Sequence, residues 1–222
     1  MMEETDKMII KTFKGFENVY LDKIEESNSW YYIWSTPCSE PYEVPDFKNN
    51  YPGTRLCFIE YPSGIIFEPI KQKRNVFIER PFYEPADNLF GVICYDFNKE
   101  VLQVLVFYPG YNDIKILTEI PFLKCKDMVN IRLEGSPFTL VKHNIHDDAV
   151  DFLWPKENHF QFERNESLCF LDDGKMYTSK WIEDPDYHEE MIIRNAETGE
   201  IVERSPGYFR IMPDGSIWKI TP

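Results

Sequence analysis

Several common sequence signals are missing from this chain of 222 residues. No apolar run approaches the roughly 20 residues that a membrane-spanning helix needs. The short run Met8 to Ile10 is too brief for the core of a signal peptide. Windows of apolar residues at helical spacing are also scarce. We therefore expect a cytoplasmic protein with little or no helix and no membrane partner.

The cysteines form no recognisable framework. There are five, which is an odd number, they lie far apart, and no two form a C-x-x-C pair. Disulfide scaffolds and zinc knuckles need paired cysteines at short, regular spacings. The sequence therefore argues against both and predicts reduced thiols.

Short catalytic motifs are absent as well. The sequence contains no G-x-S-x-G turn, no phosphate-binding G-x-x-x-x-G-K-[ST] loop and no G-x-G-x-x-G fingerprint. Hydrolases and nucleotide-binding enzymes of those classes are therefore unsupported, and we predict no cofactor. Paired carboxylates for glycoside hydrolysis stay open, because that chemistry depends on separation in space and leaves no spacing rule in the sequence.

Basic residues are few relative to acidic ones. The chain has 24 Lys and Arg against 38 Asp and Glu, which gives a formal charge of -14. A negative field of this kind repels phosphate backbones and anionic lipid. Nucleic-acid binding is therefore disfavoured, whereas a basic protein partner would be attracted.

What the sequence does contain is an internal repeat. Three cysteines occupy the same apolar-Cys-aromatic triplet, and equal steps along the chain reach three similar triplets. Their central residues lie 37, 37, 38, 37 and 41 positions apart. Self-similarity at such regular intervals is typical of repeat architectures. The central residues are Tyr20, Cys57, Cys94, Arg132, Cys169 and Arg210.

Turn residues and a second strand rich in aromatic and β-branched residues follow each triplet, as a β-hairpin requires. Six hairpins are thus predicted. We also predict a third strand in five of the units, at Tyr42 to Phe47, Val76 to Ile78, Ile114 to Leu117, Val150 to Leu153 and Met191 to Arg194.

These observations predict a single all-β domain over residues 1-222, most simply a small β-propeller of six repeats. The N-terminal segment Met8 to Lys11 resembles the third-strand segment Met191 to Arg194. We therefore expect it to complete the last unit and close the ring, which removes an exposed edge. An open repeat sheet and a β-sandwich or barrel are the alternatives.

Arg132 and Arg210 stand where the other units have Cys or Tyr. Equivalent positions in a ring face the same way, so the two guanidinium groups would meet in a shared channel and hold an anion. The alternative is local pairing of each arginine with a neighbouring carboxylate, such as Glu134 or Asp214.

Two further groups of residues are candidate sites. His143, His146, Asp147 and Asp148 form the densest polar cluster, and imidazole with carboxylate suits a borderline metal ion. An ordinary polar loop is the alternative reading. Trp154 and Trp181 lie outside the aromatic positions that recur in the repeat, and they are candidates for stacking against a ligand.

The sequence therefore favours a non-catalytic binding protein that presents one end of a β-repeat ring to a protein or small ligand. An inhibitor or immunity-type protein for a basic partner is one concrete form. The alternative is a small carbohydrate-active or metal-assisted enzyme with carboxylates at the mouth of the ring. A scaffold that self-associates through an open edge strand is a third possibility.

Overall fold

The computed structural model describes residues 10–17, 19–125, 127–212, 214 and 216–222. Within these residues the chain forms nineteen β-strands, four short 3-10 helices and no α-helix. This confirms the all-β class and the low helix content that the sequence predicts. No helix in these ranges is long and apolar enough to span a membrane.

The first half of the chain forms two antiparallel sheets. The first sheet has the order β1-β2-β3-β4, with strands at Asp22–Lys23, Trp30–Ser35, Arg55–Glu60 and Ile66–Phe67. In the second sheet β5 and β6 share one edge and both pair with β7, which is followed by β8 and β9. These five strands are Val76–Ile78, Phe82–Glu84, Leu89–Asp96, Val101–Tyr108 and Asp113–Pro121.

The second half forms two more sheets and a hairpin. The third sheet runs in the order β10 to β13, at Ile131–Glu134, Thr139–Asn144, Ala149–Trp154 and Asn158–Gln161. The fourth runs from β14 to β17, at Glu166–Asp172, Lys175–Ile182, His188–Asn195 and Ile201–Pro206. A terminal hairpin pairs β18 with β19, at Tyr208–Ile211 and Ile217–Ile220.

Most of the predicted triplets lie in strands, but the first two predicted units share one sheet. Five of the six triplets lie in strands β3, β7, β10, β14 and β18. The first triplet, Val19 to Leu21, precedes β1 and lies in no strand. Strand β2 pairs with β1, which begins one residue after that triplet, and also with β3 in the register Trp30 to Glu60. The described residues therefore form four sheets and one hairpin, and the count of six repeats is not confirmed.

The third strands predicted for the later units are present within β9, β12 and β16. Two others differ from the prediction. Residues Pro41–Phe47 form a 3-10 helix, because Pro45 has no N–H to donate to a ladder. Val76–Ile78 is a strand, but it pairs with β7 and so belongs to the following sheet.

Each sheet packs face to face on the next one in chain order. The first and second sheets meet through Phe58, Phe90 and Phe107, with Phe58 and Phe90 only 4.3 Å apart between ring centroids. The second and third sheets approach so closely at Gly91 that a Cβ there would lie 2.7 Å from Leu133. The hairpin packs on the fourth sheet through Phe209, which contacts Phe170. Alternating strand faces thus give a series of apolar layers.

The predicted closing strand is not found among the described residues. Met8 and Ile9 lie outside the described residues, and Ile10 and Lys11 belong to no strand. The Lys11 ammonium donates hydrogen bonds to the carbonyls of Pro62 and Ser63, the latter at 2.7 Å. This contact holds the segment at a turn of the first sheet. Across the described ranges the terminal hairpin pairs with no other sheet.

Candidate functional site

A cleft of about 630 Å³ opens where successive sheets present their edge strands. Strand β6, strand β10, strand β14 and the terminal hairpin all contribute to its walls. Segments that are distant in the chain therefore meet at this cleft. The lining residues are 79–86, 131–136 and 169–172, together with Glu26, Ile93, Ile211 and Ile217.

Acidic groups outnumber basic groups on this lining. It includes five carboxylates and two guanidinium groups. A cleft lined by an excess of one charge focuses that field and attracts ligands of opposite sign. The charged lining residues are Glu26, Glu79, Glu84, Glu134, Asp172, Arg80 and Arg132.

Arg132 lines the cleft, but its guanidinium is already engaged. Its Nε lies 2.5 Å from Oε1 of Glu134, and its Nη2 donates a 2.8 Å hydrogen bond to the carbonyl of Leu168. This is the local pairing with Glu134 that the sequence offered as the alternative to an anion site. Burial raises the pKa of Glu134 to about 7, although Arg132 opposes the change. The desolvation of this carboxylate outweighs its ion pair.

Arg210 does not join Arg132. It lies opposite Trp218 in the hairpin, whereas the next residue, Ile211, lines the cleft. Neighbouring strand residues point to opposite faces, so the Arg210 side chain points away from the cleft. The structure therefore does not bring the two predicted anion ligands together.

Glu79 is a partly buried carboxylate of the cleft. Burial, and then the nearby Glu40 carboxylate, raise the pKa of Glu79 to about 7, while Arg80 opposes them. In the described part of the chain, its carboxylate has no ion pair and no hydrogen bond with another side chain, and it accepts a hydrogen bond from the backbone N–H of Arg80. The Arg80 guanidinium stacks over the Trp34 ring at 4.7 Å. Glu79 thus keeps acceptor capacity for a ligand.

Tyr95 places a second polar group near Glu79. The Tyr95 side chain is fully buried, and its hydroxyl has no hydrogen-bond partner among the described residues. Burial raises the pKa of this hydroxyl well above its ordinary value, and the Glu79 carboxylate adds to the rise. A buried polar group without a partner is uncommon and calls for an explanation.

The four proposed metal ligands are dispersed. His143 is half-buried with an unpartnered Nε2, and burial followed by the positive charge of Arg132 lowers its pKa to about 4. His146 and Asp147 are exposed on a 3-10 turn. Asp148 accepts a hydrogen bond from the Asn165 backbone at 3.2 Å. Among the residues that the structure describes, no three His, Cys, Asp or Glu side chains form a group able to hold a metal ion.

The two tryptophans predicted as ligand contacts lie apart from the cleft lining. Trp154 is half-buried and packs on the core between the second and third sheets. Trp181, in β15, keeps 41% of its surface exposed. Neither side chain is part of the cleft wall.

No family model matches the sequence, and a search of curated proteins finds no match. Among solved structures, the chain is similar to the β-propeller domain of the Trilobed protease from Pyrococcus furiosus, described as having an open velcro topology, with 15% identity, a TM-score of 0.47 and 90% of this chain covered. It is also similar to the Pyrococcus horikoshii acylaminoacyl peptidase, with 12% identity, a TM-score of 0.49 and 89% covered. An acylaminoacyl peptidase bound to a chloromethyl ketone gives 13%, 0.47 and 87%. The matched regions span 61% of the first neighbour and 34% of each of the other two.

Proposed function

We propose that this protein is a non-catalytic interaction module in which propeller-like sheets present the cleft to a basic protein partner. The edge strands of four successive units line one cleft, which is how a ring of blades forms a central channel. Closure of the ring is part of this proposal. The described residues show a row of packed sheets that ends in a two-stranded hairpin.

The observation that carries the proposal is the acidic lining of the cleft. Five carboxylates face two guanidinium groups, and one of those guanidiniums is paired with Glu134. The whole chain, including this lining, carries a formal charge of -14. Such a field steers a positively charged partner toward the cleft and raises the rate of association. A cytoplasmic inhibitor or immunity-type protein that neutralises a basic toxin or nuclease is a concrete form of this function.

A titration with charged peptides tests the proposal. We expect a lysine decapeptide to bind and a glutamate decapeptide of the same length not to bind, as measured by calorimetry. Affinity for the lysine peptide should fall about tenfold or more between about 50 mM and about 300 mM salt, because exposed charges are screened. Equal binding of both peptides, or binding indifferent to salt, would overturn the proposal.

Two matched double variants locate the binding surface. E26K/D172K reverses two charges on the cleft lining, and E157K/E197K reverses two exposed charges that are not part of it. Both change the net charge by the same amount. We expect only the first to weaken binding of the lysine peptide strongly, and equal losses would mean that the attraction is not centred on the cleft.

A second candidate function is supported by one specific feature. Glu79 and Glu134 line the same cleft, and burial raises the pKa of each to about 7. Carboxyl groups that titrate near neutrality suit general acid-base catalysis on a glycoside. Hydrolysis of chromogenic glycosides that is lost in both E79Q and E134Q would favour the enzyme, and no hydrolysis by the wild type would reject it.

A further inference from the structure

A second groove, of about 430 Å³, opens between the outer strands of the second and third sheets. The end of β9 and the 3-10 helix Phe122–Lys124 form one wall, and β12 and β13 form the other. We propose that this groove binds a phenolic group, namely a tyrosine side chain of a partner protein, through Nε2 of His159. The groove shares no lining residue with the acidic cleft, so this inference stands apart from the proposed function.

The strand register directs a pair of polar side chains into the groove. Asp151 of β12 lies directly opposite His159 of β13, so the two side chains share one face of the third sheet. Leu153, two residues after Asp151, lies on the same face and packs with Ile120 of the second sheet in the apolar core between the two sheets. The Asp151–His159 pair therefore faces the second sheet across the groove.

Asp151 fixes the hydrogen of the His159 ring. Nδ1 of His159 lies 2.6 Å from Oδ1 of Asp151, whose Oδ2 accepts a 2.8 Å hydrogen bond from the Asn144 side-chain amide. A carboxylate can only accept, so Nδ1 carries the hydrogen, and Nε2 of the neutral imidazole is an acceptor. Among the described residues the His159 ring forms no other hydrogen bond, and 60% of this side chain is exposed. Nε2 is therefore available to a donor from a ligand.

The charged groups of the lining are engaged with one another. Nζ of Lys124 lies 2.9 Å from Oε1 of Glu157 at the rim, and Asp151 is held by His159 and Asn144. An ionic ligand would have to compete with these contacts. The groove instead offers a neutral acceptor beside the apolar side chains of Ile120 and Leu153.

A phenol matches this combination. Its hydroxyl donates one hydrogen bond, and its ring is apolar, which is why tyrosine suits sites with one polar end and one apolar side. The hydroxyl would donate to Nε2 of His159 while the ring packs against Ile120 and Leu153. A phenylalanine ring could make the same apolar contacts but would leave Nε2 without a donor.

Two probes that differ only in the hydroxyl test the site. We expect Nα-acetyl-tyrosine methylamide to bind about fivefold more tightly than Nα-acetyl-phenylalanine methylamide, as one net hydrogen bond provides. The measurement is an NMR titration of the full chain at about pH 8, since the neutral imidazole is the acceptor. Equal affinity for the two probes, or binding of neither, would overturn the proposal.

A matched pair of histidine variants locates the acceptor. H159F replaces the imidazole with a ring that has no acceptor, and it should abolish the preference for the tyrosine probe. H188F is the control, because His188 is an exposed histidine of β16 that does not line the groove, and it should keep the preference. A preference that persists in H159F would show that the hydroxyl binds elsewhere.

D151N tests the positioning role of Asp151. Asn144 donates to the oxygen at the Oδ2 position, so an asparagine at 151 keeps its carbonyl oxygen there and turns its NH₂ group toward His159. That group donates to Nδ1, which moves the imidazole hydrogen to Nε2 and removes the acceptor. We expect the nitrogen-15 shifts of the ring to show this exchange and the tyrosine preference to be lost. A tyrosine preference that persists in D151N would overturn the proposal.

Discussion

At the scale of single residues, the most informative feature is a carboxylate held in an unfavourable setting. Glu79 is desolvated and lies near Glu40, and its pKa rises to about 7. A native protein that keeps an acidic group in this state gives up stability near neutral pH. This is the expected pattern when a side chain is retained for binding rather than for folding.

Substitution of Glu79 by Gln should show this cost directly. The folded state favours the protonated form of Glu79. In the wild type, the protonated Glu79 carboxyl therefore stabilises the fold below its ordinary pKa, and this contribution is lost as pH rises from about 4.5 to about 7. We expect E79Q to raise the free energy of unfolding by about 1 to 2 kcal/mol at about pH 8, less than the full shift implies because the side chain is only partly buried.

The same comparison at about pH 5 should give a much smaller difference, because the carboxyl of the folded wild type is then neutral like the amide. Urea denaturation at the two pH values measures both. A stability gain of equal size at both pH values would show that Glu79 does not titrate near neutrality.

Tyr95 and Tyr51 are fully buried tyrosines with opposite hydrogen bonding. The Tyr51 hydroxyl lies 2.6 Å from Oγ1 of Thr36 and 2.7 Å from Oγ1 of Thr54. Because the Tyr95 hydroxyl has no partner in the described residues, we expect Y95F to stabilise the protein by about 1 kcal/mol and Y51F to destabilise it by about 1 to 2 kcal/mol. Equal losses in thermal unfolding would mean that the Tyr95 hydroxyl is hydrogen-bonded.

Of the residues that line the cleft, the sequence predicted only some. Arg132 is on the lining, and its pairing with Glu134 was one of two readings of the sequence. Glu79 and Tyr95 carried no signal, because burial and a missing partner arise from packing and leave no spacing rule. Arg210 was placed in the channel by its repeat position, but the strand that carries it turns Ile211 toward the cleft instead.

At the scale of elements, the sequence predicts the hairpins better than it predicts which further strands pair with each hairpin. Turn residues between aromatic and β-branched runs indicate which two strands pair locally. Strand β2 illustrates the limit. It pairs with the short β1 just after the first triplet, but it also pairs with β3 across the 3-10 helix, which joins the first two predicted units in one sheet. The outer strands β13 and β17 were not predicted, because each is short or largely exposed and so lacks a strong apolar pattern.

The contact between the second and third sheets provides a test of the packing. At Gly91 an added Cβ would lie 2.7 Å from Cδ1 of Leu133 and 3.1 Å from the Phe138 ring. We therefore expect G91A to destabilise the protein by about 1 to 3 kcal/mol through overpacking. The matched control is G110A, because a Cβ at Gly110 would meet nothing within 4 Å.

Chemical denaturation of both variants measures the difference. The control should change the free energy of unfolding by less than about 0.5 kcal/mol, as surface substitutions usually do. A G91A variant as stable as G110A would show that the two sheets are not in close contact at this point.

At the scale of the whole molecule, repetition and acidity act together. Successive sheets and the terminal hairpin each bring a strand to the same cleft, and the lining of that cleft carries more acidic than basic side chains. The all-β class and the acidity followed from the sequence, whereas the cleft required the packing of four successive units. The acidic lining lies where the edges of those units meet, and it is the observation from which we propose a basic partner.

The most direct test of this account is the pKa of the Glu79 carboxyl, followed by carbon-13 NMR in the free protein and with a saturating lysine decapeptide. We predict a pKa of about 7 in the free protein and a value at least about one unit lower with the peptide, because a bound cation favours the carboxylate. A pKa that the peptide leaves unchanged would contradict the central claim that a basic group binds beside Glu79 in this cleft.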